Sequence, residues 1–264
     1  MNRCARPRCG RLTRVRRSGI GVAVKSLLAS LSLLLAAFTV SVSAQEKAWE
    51  PKPRARSFPW MSYADWNSMH DAMLRRALQG DVDVLFLGDS ITQGWADNAV
   101  WKQRYVPRKP ANFGIGGDTT QNVLWRIENG ALVGIDPKVV VLLIGTNNLG
   151  IHDDSADDVA KGVGAIVRSI HRRSPGTKVL LLAVFPRDER PGTKFRKAIA
   201  AINPQIAKLD DGKTVRFLDI GEKLLAADGT LPKDVMPDAL HLSEKGYAIW
   251  ADAMEPLLAE MLRR

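Results

Sequence analysis

The chain has 264 residues, with 38 Lys and Arg, 28 Asp and Glu, four His and two Cys. Eight of the basic residues and both cysteines lie in residues 1–44, together with none of the acidic residues, so 30 basic and 28 acidic residues follow position 44. This nearly neutral remainder gives no reason to expect nucleic-acid binding, and because it contains no cysteine it excludes a disulfide, a thiol nucleophile and a cysteine metal site.

Residues 1–44 have the pattern of a secretory signal peptide. A basic segment ends at Lys25, the uncharged apolar run 27–40 follows, and small residues at 42–44 precede Gln45. A membrane anchor is the alternative, but the run is shorter than the roughly 20 apolar residues that a bilayer requires. We therefore predict cleavage and export to the periplasm or the medium, with no membrane span left in the mature chain.

The elements that follow predict a single α/β domain over residues 59–264, behind a flexible, Pro-, Lys- and Arg-rich lead-in at 45–58. Helical spacing begins after Ser62 and recurs at 119–129, 155–173, 195–209 and 243–262. Apolar runs predict strands at 82–87, 111–115, 139–144, 178–184 and 215–218. Continuous apolar runs are typical of parallel strands, and their alternation with helices predicts a three-layer α/β/α sandwich with a central parallel sheet of about five strands.

Polar residues follow the first three predicted strands. Ser90 comes after the first strand, Gly116-Gly117-Asp118 after the second and Asn147-Asn148 after the third. The carboxyl ends of parallel strands meet at one edge of a sheet, where ligands bind, so we expect these residues to share a site.

Ser90 is the candidate nucleophile, with His241 and Asp238 as its relay. A serine hydroxyl requires an adjacent base, and an aspartate three residues before the histidine can fix the imidazole tautomer. Ser90 or Asp89 could instead simply cap the next helix, and Asp238 could be a turn residue. His152, close to Asn147, is a rival base, whereas His70 and His171 fit packing or surface positions better.

Acyl transfer also needs N–H donors that face the developing oxyanion. The Ser90 amide, a glycine amide and an asparagine side chain would supply three. The glycine-rich segment 114–117 could instead hold a phosphate, but it lacks the lysine of a P-loop, and Asp118 would repel phosphate. Asn147 and Asn148 could also be only a turn pair.

Together these blocks resemble those of the SGNH (GDSL-type) hydrolases across most of residues 82–257. The resemblance puts the family's serine on Ser90, its oxyanion glycine on Gly117, its asparagine on Asn147 and its Asp-x-x-His on Asp238 and His241. Within the family, the segments Asn-Phe-Gly-Ile-Gly-Gly-Asp-Thr-Thr and Gly-Thr-Asn-Asn are similar to those of the platelet-activating-factor acetylhydrolase catalytic-subunit branch. Asn148 replaces the aspartate that many relatives carry.

The resemblance also implies an acyl pocket bordered by Ile91, Thr146 and Leu240, whose branched side chains predict a preference for acetyl esters. These three could instead be ordinary packing residues. The sequence thus predicts a flavodoxin-like serine esterase without cofactor or metal, acting on a small-molecule or carbohydrate ester.

Two alternatives stay open: an O-acyltransferase that passes the acyl group to a carbohydrate, and a non-catalytic binding module. Trp95 or Trp101 could line a sugar platform, although core packing is the favoured interpretation of both.

Overall fold

The computed structural model describes residues 47–96 and 98–263, so the predicted leader lies outside the described residues. Five parallel strands form one sheet: β1 (Val84–Gly88), β2 (Pro110–Gly114), β3 (Val139–Leu143), β4 (Lys178–Leu182) and β5 (Val215–Leu218). Their order across the sheet is β2-β1-β3-β4-β5, with every neighbouring pair parallel. The predicted α/β class and parallel five-stranded sheet are confirmed, in the strand order typical of flavodoxin-like folds.

The helices among the described residues are α1 (Tyr63–Leu78), α2 (Ser90–Gln93), α3 (Ala99–Arg104), α4 (Thr120–Arg126), α5 (Ala156–Arg173), α6 (Lys194–Ile206) and α7 (Glu244–Arg263). Ser62 caps α1 in a capping box with Asp65, and Ser155 caps α5. The helix predicted over 119–129 is α-helical only to Arg126 and continues as a π-helical turn over Ile127–Ala131, in which Asn129 and Gly130 depart from helical geometry.

Two apolar cores cover the two faces of the sheet. Successive strand residues alternate between them: Leu85 and Leu87 of β1 pack with α1, α4, α5 and α6, whereas Val84 and Phe86 pack with α3 and α7. Trp95 and Trp101 lie buried in the second core, so core packing, the favoured interpretation of both, is confirmed. This double burial explains why the strands have continuous rather than alternating apolar patterns.

The described part of the segment predicted as a flexible lead-in, residues 47–58, is hydrogen-bonded to the start of α4. The Ala48 carbonyl accepts a hydrogen bond of 2.8 Å from Thr120 Oγ1, and the Lys52 carbonyl accepts one of 3.0 Å from Asn122 Nδ2. Irregular backbone of this kind stays ordered when its polar groups find partners, here at the start of α4.

Candidate active site

Ser90 lies where β1 ends and α2 begins, at the carboxyl edge of the sheet. Asp89, not Ser90, provides the helix cap, since its Oδ1 accepts a 3.0 Å hydrogen bond from the Ile91 amide. Gly88 passes so close to β3 that a Cβ there would lie 2.2 Å from the Leu143 carbonyl oxygen. The capping role therefore falls to Asp89 and leaves the Ser90 hydroxyl available for other partners.

The Ser90 hydroxyl is hydrogen-bonded to His241, and His241 to Asp238. Ser90 Oγ lies 2.9 Å from His241 Nε2, and His241 Nδ1 lies 2.7 Å from Asp238 Oδ2. The other carboxylate oxygen of Asp238 accepts backbone hydrogen bonds from Leu240, at 3.0 Å, and from His241, at 2.7 Å. The structure thus brings together three residues that are up to 151 positions apart in the chain.

These hydrogen bonds also set the charge of the acid. Partial burial alone would raise the pKa of Asp238, but the hydrogen bonds from the His241 backbone and ring and from the Leu240 amide outweigh it and lower the pKa. Asp238 is therefore ionised at neutral pH. An ionised carboxylate against Nδ1 favours the tautomer with hydrogen on Nδ1, which leaves Nε2 free to accept the serine proton.

The other three histidines take no part in this arrangement. His152 Nδ1 lies 3.4 Å from Gln121 Nε2, and His171 belongs to the last turn of α5. His70 is buried in α1 against the ring of Trp125, with centroids 5.1 Å apart.

The glycines after β2 lie directly beside the nucleophile. A Cβ on Gly116 would approach Ser90 Cβ to 3.7 Å, and the Gly116 amide donates a 2.7 Å hydrogen bond to Gln93 Oε1 in the single turn of α2. Gly117 has a φ of +74°, a conformation that glycine adopts without strain. The chain can therefore turn tightly here and pass within contact of Ser90.

Asn147 follows β3 and is linked to the same loop. Its Nδ2 donates a 3.0 Å hydrogen bond to the Asp118 carbonyl, next to Gly117, and the residue is only 8% exposed. An amide nitrogen carries a second hydrogen, which a bound oxygen could accept. Three residues are predicted for the oxyanion hole: Ser90 follows β1, Gly117 follows β2 and Asn147 follows β3. These strands are neighbours in the sheet, with β1 in the middle.

Asn148 is a buried connector rather than part of a surface turn. Its Oδ1 accepts a 2.9 Å hydrogen bond from the Thr120 amide, and its Nδ2 donates to Thr120 Oγ1 at 2.8 Å and to Asp154 Oδ2 at 2.9 Å. The neutral amide can both accept and donate, which a carboxylate at this position could not do. Asn148 therefore ties the loop after β3 to the start of α4.

A buried ionic cluster supports the glycine loop from behind, and no motif in the sequence indicates it. The Asp118 carboxylate is fully buried, lies 2.8 Å from Arg126 Nε and accepts a 2.7 Å hydrogen bond from Trp66 Nε1. Arg54 Nη2 lies 3.4 Å from the same carboxylate and donates a 2.5 Å hydrogen bond to the Gly116 carbonyl. Arg126 also donates to the Gly88 carbonyl, at 3.1 Å. The cluster therefore connects the ends of β1 and β2.

The residues predicted for the acyl pocket lie beside the catalytic candidates. Ile91 and Thr146 are buried, and Leu240, next to His241, is half-buried. Arg187 Nη1 donates hydrogen bonds to the Thr146 carbonyl, at 3.1 Å, and to its Oγ1, at 3.3 Å. Arg187 is a further residue that sequence reasoning missed, and it supports the backbone that leads into Asn147.

A second acid lies behind the nucleophile. Burial and, to a smaller extent, the nearby Asp118 carboxylate raise the pKa of Asp89 to about 7, against the opposing effect of the hydrogen bond from the Ile91 amide. Among residues 47–96 and 98–263 there is no group of three or more His, Cys, Asp or Glu side chains placed to hold a metal ion. None of the helices in those ranges combines the length and apolarity that crossing a membrane demands.

A parallel α/β sheet whose carboxyl edge carries a serine hydrogen-bonded to a histidine, and through it to an aspartate, defines the class of the serine hydrolases. Residues 86–249 match the model of the GDSL-like lipase/acylhydrolase family. The chain belongs to this family and is a carboxylic ester hydrolase, acting on small-molecule esters.

Similar proteins agree with this assignment. The chain is 39% identical over 199 residues to subunit alpha2 of platelet-activating factor acetylhydrolase IB from Rattus norvegicus, covering 75% of this chain and 85% of that protein. It is 37% identical over 198 residues to subunit alpha1 from Bos taurus, covering 75% and 84%. Among solved structures, a GDSL-like lipase from Bacteroides thetaiotaomicron shares the fold, with a TM-score of 0.60 and 19% identity over 75% of this chain and 97% of that one.

Proposed function

We propose that the chain is a cofactor-free serine esterase that hydrolyses short-chain, preferentially acetyl, esters. The continuous hydrogen-bonded path from Ser90 Oγ through His241 to Asp238, at 2.9 and 2.7 Å, carries this proposal. Both distances suit proton transfer without a rearrangement.

In the first half of the reaction, Ser90 Oγ attacks the ester carbonyl carbon while His241 Nε2 accepts the hydroxyl proton. Collapse of the tetrahedral intermediate breaks the bond to the alcohol oxygen, which receives that proton from His241. In the second half, His241 deprotonates a water that attacks the acyl-enzyme, and the proton returns to Ser90 as the acid leaves. Asp238 orients the imidazole and stabilises its charged form throughout.

The negative oxygen of both intermediates needs donors that are already in place. The Ser90 amide, the Gly117 amide and the free hydrogen on Asn147 Nδ2 would supply them from three neighbouring strand ends. The support of the Gly116 carbonyl by Arg54 and of Asn147 by the Asp118 carbonyl favours this role, because both hold the donors before substrate arrives.

Replacement of the nucleophile tests the mechanism. We expect Ser90→Ala to lower kcat for p-nitrophenyl acetate by about five to six orders of magnitude, since relay residues act as a unit. Labelling with a fluorophosphonate probe should disappear in the same variant, while the melting temperature stays near that of the wild type. Turnover within a few-fold of the wild type would remove Ser90 from the mechanism.

Acetyl preference is the finer part of the proposal. Ile91 and Thr146 are buried and Leu240 partly so, which leaves little depth beside Ser90, and the similar proteins are named as acetylhydrolases. Each methylene that does not fit should cost on the order of 1–3 kcal/mol in kcat/KM. We expect kcat/KM to fall from p-nitrophenyl acetate to butyrate to octanoate. An octanoate optimum would contradict a short acyl pocket.

Export is proposed on the leader pattern of residues 1–44. Ala48 is buried, and its carbonyl accepts the hydrogen bond from Thr120, so cleavage after position 44 would leave this contact within the mature chain. Expression of the full chain followed by mass measurement of the mature protein should give an amino terminus near Gln45 in the periplasmic or medium fraction. A full-length product retained in the cytosol would contradict export.

A further inference from the structure

Trp60 stands exposed beside the proposed oxyanion hole. Its side chain is 56% exposed, and its six-membered ring lies so close to Gly117 that a Cβ there would fall 2.2 Å from Trp60 Cη2. Met61 continues the contact, with its Cε 3.3 Å from the position of a Cβ on Gly116. The exposed indole of Trp60 is in contact with the backbone of Gly117. It therefore lies at the edge of the proposed substrate site.

The ring is held in place rather than free to turn. Phe58 stacks on Trp60 with centroids 4.9 Å apart and planes inclined by 7°. The backbones of Phe58 and Met61 exchange two hydrogen bonds, of 2.9 and 3.1 Å, across the turn that carries Trp60. A ligand that stacks on a ring already ordered in this way loses little additional entropy.

The order of the strands shows which part of the ester Trp60 meets. Thr146 of the proposed acyl pocket follows β3, whereas Trp60 contacts the glycine loop after β2, on the opposite side of β1. An acyl group on the β3 side directs the alcohol of the same ester toward β2. Trp60 is thus placed to contact the alcohol part of the substrate.

The charges around the ring restrict that alcohol. The guanidinium carbon of Arg54 lies 5.6 Å from the Trp60 ring centroid, and that of the exposed Arg56 lies 5.1 Å from the Phe58 centroid. Asp118 lies between Arg54 and Arg126 and balances only one of these two buried positive charges. Although an indole face attracts quaternary ammonium groups, the remaining positive charge and the exposed Arg56 therefore oppose a cationic ligand. A neutral ring with apolar C–H faces meets no such opposition.

We propose that Trp60 is a specificity-determining residue that stacks on a neutral ring, such as a pyranose, in the alcohol part of the ester. This inference rests on the proposed esterase function. It assigns the substrate class of the same site to esters of cyclic, uncharged alcohols rather than to esters of simple chains or of choline-like cations.

The test compares three variants on three acetate esters. The variants are Trp60→Ala, Trp60→Phe and, as a matched control, Trp49→Ala, whose indole stacks with Lys161 at 4.7 Å in the groove between α5 and α6. The substrates are an acetylated methyl glucopyranoside, ethyl acetate and acetylcholine. We expect Trp60→Ala to lower kcat/KM for the pyranoside ester roughly three- to tenfold, mostly through KM, and to leave ethyl acetate within twofold.

Trp60→Phe should retain most of the pyranoside activity, and Trp49→Ala should match the wild type on every ester. An equal loss on the pyranoside ester and ethyl acetate would show that Trp60 only supports the glycine loop and would overturn the proposal. An unchanged pyranoside activity, or a wild-type preference for acetylcholine, would overturn it as well.

A binding measurement tests the role of Trp60 independently of the esterase mechanism. Titration calorimetry of the acetylated pyranoside against Ser90→Ala, with and without Trp60→Ala, needs no turnover. Weaker binding in the double variant supports the role of Trp60 even if the wild type hydrolyses no ester, whereas equal binding overturns it even if the wild type is a good esterase.

Discussion

The two sides of the candidate site are built in opposite ways. On the serine side, which we define as Asp89, Ser90, the loop 116–118 and Asn147, the side chains of Asp118 and Asn147 are buried and bonded to residues from other elements. The histidine loop, residues 234–243, carries Asp238 and His241 with their side chains 55% and 45% exposed. Its acid is held by hydrogen bonds from residues two and three positions away.

This difference in burial fits the two tasks that the proposed mechanism assigns to the two sides. Donors for an oxyanion must be fixed before substrate binds and kept from water, and burial with partners from distant elements achieves this. An imidazole that shuttles protons must reach both the serine and the solvent water of deacylation, so an exposed loop suits it. We therefore expect changes in the histidine loop to affect turnover and changes behind the serine side to affect folding.

The largest effect should come from the acid of the histidine loop. Asp238→Asn keeps an acceptor for the backbone amides of Leu240 and His241 but presents an amide N–H to Nδ1, which favours the wrong tautomer. We expect kcat to fall by about 10³–10⁴ with little change in stability. Asp234→Asn, in the same loop and ion-paired with Lys245 at 2.5 Å, is the control and should stay within twofold of the wild type.

A loss in Asp238→Asn of less than about tenfold would show that the imidazole does not depend on this carboxylate. It would also weaken the contrast between the two sides, because orientation would then have to come from other contacts of the histidine loop.

Breaking the buried ion pair behind the serine side should affect stability instead. Asp118→Asn leaves the buried guanidinium groups of Arg126 and Arg54 without their counter-charge. We expect the free energy of unfolding in urea to drop by about 3–5 kcal/mol. In the control, Asp81→Asn removes the exposed pair with Lys109 and should leave the free energy of unfolding close to that of the wild type. Equal costs in both variants would contradict the importance of burial.

A smaller effect concerns the pH dependence of stability at Asp89. The pKa of this acid is raised from 3.8 to about 7 in the folded state, so folding holds its proton more tightly. The cost of ionising it is absent below pH 3.8, grows as the pH rises toward 7 and is then complete, reaching at most about 4 kcal/mol. Asp89→Asn keeps a helix-capping oxygen but cannot titrate.

We therefore expect the variant to gain stability relative to the wild type between pH 4 and 7, measured by urea unfolding at each pH. Parallel stability profiles for the two proteins would show that Asp89 does not resist ionisation.

Much of the fold could be predicted, because strands buried on both faces consist of continuous apolar runs. The prediction was less accurate at strand ends, where packing rather than hydropathy determines which residue begins or ends a strand. The first strand was predicted at 82–87 and lies at Val84–Gly88, since Gly88 pairs with Gly114 and Leu143 although glycine has no apolar signal. Ser90, Gly117 and Asn147 could be found because each follows closely after a strand, whereas Asp238 and His241 were found by their spacing of three residues.

Residues that act over long distances in the chain could not be found. Arg54 contacts the Gly116 carbonyl and Asp118 across 62 and 64 positions, and nothing near it in the sequence distinguishes it from the other basic residues of the Pro-, Lys- and Arg-rich lead-in. Trp60 is another example, because its position against Gly117 depends on the path of the whole segment before α1. Such contacts form only when the folded sheet has brought distant parts of the chain together.

The tight turn that joins Asp238 to His241 has a consequence for how this enzyme can diverge. Apart from the bond between His241 and Ser90, the hydrogen bonds of the turn stay within residues 236–241, except for one of 2.9 Å from the Asp188 amide to the Ala239 carbonyl. Insertions or deletions between β5 and Pro237 would therefore move Asp238 and His241 together, as one unit. Such a change would alter the distance from His241 to Ser90 but keep the hydrogen bond from Asp238 that fixes the tautomer of His241. Natural variation before the turn can therefore change the rate of turnover without changing the mechanism.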